Sequence, residues 1–292
     1  MKLWLAACLF LSPALRAAPA PVDPALESAL APLAAQGLLP QRLISDTVKG
    51  VRLTVVLLRD DARSLDKLNV YALIKDKPVL VYTHPSVVDR LEISRSMLSD
   101  REFTNLLRDG SRTIVYHATT PGLNTRVLHV LRCTGARVRR IASFPDGRLK
   151  DIDEDGRMEI ISRNLPLGRF FTVGCEDFQT MAQTASQLRI SRWTDGRFVD
   201  VSAQFPGFFD EDIAGLEEHL ALIPKEKRPG DYLGSALAVY YDYAAKGAQR
   251  QGWERLNALL KPPSTSVPRL TRCLEQVKAD LRQKLAIPLD WK

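Results

Sequence analysis

The residues with the clearest chemical potential are four carboxylates crowded into one stretch, Asp151-Ile-Asp-Glu-Asp-Gly-Arg-Met-Glu-Ile160. Asp151, Asp153, Asp155 and Glu159 stand at relative positions one, three, five and nine, and Gly156 follows the third of them. Oxygens at alternate positions of a tight loop suit a hard cation such as Ca²⁺, which takes about six to eight oxygen ligands. Arg157, at relative position seven, would add its backbone carbonyl. Gly156 gives the chain the freedom to turn sharply around an ion. An all-oxygen donor set disfavours zinc and copper. The expected site is therefore Asp151, Asp153, Asp155, Arg157 and Glu159 around one structural Ca²⁺, set against the plainer reading of an acidic turn that holds nothing.

The elements around this loop are strands. An EF-hand needs a bidentate Glu at position twelve and a helix on each side. Position twelve is Ser162, and Ile160-Ile161 opens a β-branched run instead. Glu159–Ser162, Gln187–Trp193 and Arg197–Val201, with a turn at Asp195-Gly196, read as one unit of strand, long loop, strand, tight turn, strand. Two earlier stretches repeat that plan. One runs through Asp109–Tyr116, Arg126–Arg132 and Val138–Ala142, the other through Gly50–Leu57, Asn69–Ile74 and Val79–Tyr82. In the second unit Leu107 and Thr113 replace two of the acids, and in the first Lys49 and Leu53 do, so only the third loop is expected to bind metal. Three units are fewer than the about four to eight blades of a propeller. The expectation is an incomplete propeller, or a sheet closed by another element.

From Phe209 the period changes to that of helices. Leu233, Leu237, Tyr240, Tyr241 and Ala244 share one helical spacing, and Trp253, Leu256, Leu259 and Leu260 a second. Leu270, Leu274, Val277, Leu281 and Leu285 form the clearest amphipathic stripe. The tyrosines and Trp253 are expected in a core. The expected fold is thus α+β and mainly β: degenerate, propeller-like antiparallel repeats over 46–207, then a helical C-terminal segment over 208–292.

The pattern D-x-D-x-D-G-x-x-E-I resembles the calcium loop of FG-GAP/VCBS-type β-propeller repeats. That resemblance implies a structural ion at the edge of a blade. A second stretch, Trp193–Ser202 with Phe205-Pro206, then Gly234–Tyr243 and Gly252-Trp253, looks like uncharacterised exported bacterial proteins. These join degenerate repeats of this kind to a helical tail. The likeness spans about residues 105–260 and implies architecture, not an activity.

Residues 1–20 read as a secretory signal peptide: Lys2, an apolar run from Leu3 to Leu11, then small residues, with cleavage expected after Ala17. Cys8 in Leu5-Ala-Ala-Cys8 falls before the apolar run ends, so lipidation is not expected. Losing residues 1–17 removes Lys2 and Arg16 and no acid, taking the formal charge from +7 to +5. Residues 21–45, punctuated by Pro21, Pro24, Pro32 and Pro40, read as a linker or short helix over Ala25–Ala35. The arginines are scattered, which gives no nucleic-acid signature, and no later segment reads as a membrane span. Cys133, Cys175 and Cys273 remain, so an oxidising compartment predicts one pair and one leftover, with the pairing open.

Catalytic signatures are missing. His84, His117, His129 and His219 show no H-E-x-x-H or H-x-H spacing, and the chain holds no G-x-S-x-G elbow and no phosphate-binding glycine loop. Each histidine is expected to be structural or superficial. The resulting expectation is an exported, periplasmic or secreted, non-enzymatic calcium-binding module whose partner is a protein or envelope component. The alternative is an envelope hydrolase whose site assembles only in three dimensions, marked by His117 or His129 meeting an acid in a pocket.

Overall fold

A computed structural model describes residues 24–85, 89–93, 103–120, 125–168, 173–175, 185–223, 229–262 and 268–291. The expected signal segment, 1–20, lies outside the described residues. Helix α1 (Pro24–Ala34) comes first. Strands β1 (Leu39–Val48), β2 (Val51–Asp60), β3 (Leu65–Ile74) and β4 (Lys77–Thr83) form one antiparallel sheet in that order. Strands β5 (Arg90–Ile93), β6 (Arg112–Thr120), β7 (Thr125–Thr134) and β8 (Arg137–Pro145) form the second. The third contains β9 (Arg148–Lys150), β10 (Glu159–Asn164), β11 (Gln187–Thr194) and β12 (Arg197–Asp200).

The three sequence units are thus β2-β3-β4, β6-β7-β8 and β10-β11-β12, and each gains a fourth strand on one side. The long loop expected in the first unit contracts to residues 61–64, because β2 and β3 each run ten residues. β1 starts at Leu39, ahead of position 46, and passes through Pro40 with a register shift beside it. An edge strand tolerates proline because the missing N–H faces no neighbour. Tight hairpins follow from backbone chemistry: Lys49-Gly50 (φ 49° and 76°) and Asp195-Gly196 (φ 48° and 84°) hold two left-handed residues each, the requirement of the twist-matched two-residue turn. Strand pairing stays within each sheet among the described residues, so these form three separate four-stranded sheets.

β2 is apolar on successive residues because both of its faces are covered. Leu53, Val55 and Leu57 enter the core shared with β6 and β7, while Val56 and Leu58 lie beneath Leu26 and Leu30 of α1. β10 divides its neighbours in the same way: Ile160 joins the core between the sheets, and Ile161 packs with Leu188, Ile190 and Phe209 toward the helices. This is the two-residue alternation of a strand between two layers.

Helices α2 (Pro206–Leu222), α3 (Pro229–Ala245), α4 (Gln249–Leu259) and α5 (Pro268–Lys284) follow, and α3 packs on β11. Leu233, Leu237, Tyr240, Tyr241, Trp253, Leu274, Val277 and Leu281 are buried in one helical core, as their spacing implies. α4 crosses α3 at Gly252, where an added Cβ would lie 2.6 Å from Tyr243 Cβ and 3.0 Å from the Tyr240 carbonyl. Cys175 is disulfide-bonded to Cys273, tying the segment after the third sheet's β10 to α5, and Cys133 is free and buried. No helix among the described residues is long and apolar enough to cross a membrane.

Candidate metal centre

The acidic loop spans residues 151–158 between β9 and β10, and the pairing of Glu159 with Lys150 closes its base. Glu154 (φ 56°) and Gly156 (φ 75°) take left-handed conformations and curl the chain back on itself. Backbone amides then point at the carboxylates. The Gly156 N–H donates to Asp151 Oδ2 at 2.9 Å, and the Arg157 N–H to Asp155 Oδ1 at 2.7 Å. Arg108, from the loop before β6, donates to the Gly156 carbonyl.

Glu159 is fully buried at the start of β10. Its Oε2 accepts the Ile152 N–H at 3.0 Å, and its Oε1 accepts Arg192 Nε at 2.7 Å. One oxygen each of Asp151, Asp153 and Glu159 lies within 4.8 Å of the others, a spacing that can hold a metal ion. Asp151 Oδ1 is buried with no hydrogen-bond partner. Asp155 stands outside that trio: Oδ1 takes the Arg157 amide, and Oδ2 lies 3.9 Å from both the Arg157 and the Arg192 guanidinium. Arg157 is exposed. The structure therefore gathers Asp151, Asp153 and Glu159, with Asp155 and Arg157 on the rim.

Arg192 is the site residue that local spacing does not reveal. It sits on β11, 33 positions beyond Glu159, and arrives because Ser191 pairs with Ile160. Its guanidinium reaches Asp153 Oδ2 at 2.9 Å and stacks 5.3 Å from the centre of the Phe205 ring. Burial works against its charge, but the hydrogen bonds to Asp153 and Glu159 prevail and raise its pKa. In turn the Arg192 hydrogen bond holds the Asp153 carboxyl below the ordinary carboxylate range. Three guanidiniums, of Arg192, Arg157 and Arg108, reach a loop whose carboxylates are Asp151, Asp153, Glu154, Asp155 and Glu159, so negative charge remains for a cation to balance.

The histidines occupy a different place. His84 Nδ1 lies 2.9 Å from the Tyr116 hydroxyl and Nε2 3.1 Å from Asp89 Oδ2, and Tyr116 shares a 2.8 Å hydrogen bond with Tyr82. His129 Nδ1 lies 2.8 Å from Ser143 Oγ. Burial, aided by the Arg140 charge, lowers the His129 pKa to about 4, so it is neutral at neutral pH. His117 Nε2 meets the Gly147 carbonyl at 2.9 Å. The carboxylate thus goes to His84, not to His117 or His129, and the group forms a buried polar network between the first two sheets. The chain matches no family model, no curated protein and no solved structure.

Proposed function

We propose that this chain is an exported, non-enzymatic module whose β body carries one structural Ca²⁺ in the 151–158 loop. The observation that carries this reading is the convergence of Asp151, Asp153 and Glu159, with Asp151 Oδ1 buried and unpartnered. A buried carboxylate oxygen without a partner is costly, and a hard cation with oxygen ligands is the group that would relieve it. Asp155 and the Arg157 carbonyl complete the donor set from the rim. The ion supplies charge neutralisation and rigidity to the loop.

The likeness to FG-GAP/VCBS repeats fits three successive four-stranded sheets, read as degenerate blades. The corresponding connections, before β2, β6 and β10, each hold a left-handed glycine: Gly50, Gly110 and Gly156, at φ 76°, 75° and 75°. The Cys175–Cys273 bond fits a periplasmic or secreted setting, where the β surface or helical segment meets a protein or envelope partner. Calorimetric titration of chelator-stripped protein with CaCl₂ tests the site. Wild type should show one saturable site and Asp153→Ala none. Absence of heat from wild type refutes the proposal.

A further inference from the structure

We infer that the cleft between the first and second sheets binds a small singly charged oxyanion, a carboxylate or a phosphate diester. The cleft holds about 490 Å³; Arg42, Arg59 and Arg90 stand around it, and the buried core residues Leu57, Leu91 and Ile93 form its floor. Two of the three guanidiniums are fixed by one buried carboxylate. Asp66, with no exposed side-chain surface, accepts Arg59 Nε at 2.8 Å and Arg59 Nη2 at 3.2 Å, and lies 3.6 Å from Arg90 Nη1. It also accepts the Leu91 N–H at 2.8 Å, capping a backbone donor of edge strand β5. Arg59 and Arg90 remain 35% and 41% exposed, so their other N–H groups stay available to a ligand.

Arg42 is exposed on β1 and makes no ion pair among the described residues. Asp61 and Glu92 also face the cleft, and Glu92 is held by Arg126 at 3.0 Å. Including Asp66 and Arg126, four guanidiniums stand against three carboxylates, which leaves one positive charge. An oxyanion matches that charge and the paired N–H geometry of guanidinium, and Thr119 lines the same cleft.

Calorimetry on the whole chain with benzoate, methyl phenyl phosphate and neutral benzamide tests the inference. Both anions should bind saturably at one site, with benzamide at least about tenfold weaker; the tighter anion names the headgroup. Arg42→Ala, on an exposed position, should keep the wild-type melting temperature and weaken anion binding about tenfold, the loss of one charged hydrogen bond. Arg90→Ala should weaken anion binding to a similar extent. Failure of both anions to saturate, equal affinity for benzamide, or unchanged binding in both variants overturns the inference.

Discussion

Glu159 and Arg192 set the terms of the acidic loop. Glu159 is wholly buried and Arg192 supplies its charged partner at 2.7 Å. Removing one member of a fully buried pair costs about 3–5 kcal/mol. Arg192 keeps an edge to solvent, so Arg192→Leu should lose less, about 2 kcal/mol, measured by urea unfolding in chelator. Calcium should then stabilise the variant more than wild type, because the ion takes over the neutralising role. Equal calcium responses would separate Arg192 from the site. The sign of the pH effect follows from Asp153. Its folded pKa is depressed by Arg192, so its contribution is present above the ordinary carboxylate pKa and vanishes as pH falls through the depressed folded value. The carboxylates were legible in the sequence because the motif is contiguous. Arg192 was not, since only the register of β10 and β11 brings it there.

Among the elements, alternation exposed the strands with two covered faces or a hairpin turn. It missed β5 and β9, which have four and three residues, too short for a period to show, and it missed β1, whose early residues are polar or exposed. The four C-terminal helices were legible because one stripe of each is buried in a common core. The α2–α3 contact hides a titration. Asp242 on α3 is 1% exposed with Oδ2 unpartnered. Burial, then the hydrogen bond and charge of Asp212 on α2, push its pKa up to about 8 against the pull of Arg163 and Lys246. The folded state therefore holds a proton that the unfolded chain releases near the ordinary pKa of about 3.9. Stability should fall as pH rises from about 4 to about 8 and level off above. Asp242→Asn should flatten that slope in denaturation curves taken at stepped pH; an unchanged slope assigns it to other groups.

At the scale of the whole molecule, the Cys175–Cys273 bond joins residues 98 apart. Beyond Cys8 in the expected signal segment, the sequence offered three cysteines without a rule for pairing them, because pairing depends on how α5 lies against the segment holding Cys175. Closing a loop of that length is worth about 2–5 kcal/mol, so Cys273→Ser should lower unfolding free energy by that amount. Thiol titration of denatured, unreduced mature protein should find one thiol, Cys133. Three thiols would contradict the bond. The proposed calcium site would also act on the whole fold. An ion that binds only the folded chain stabilises it by about 2.7 kcal/mol at a hundredfold excess over Kd. The most direct test is the melting temperature of wild type and Asp153→Ala, each with excess calcium and with chelator. Wild type should melt higher with calcium and Asp153→Ala at one temperature in both conditions; a wild type indifferent to calcium would mean that the loop is an acidic turn balanced by its arginines alone.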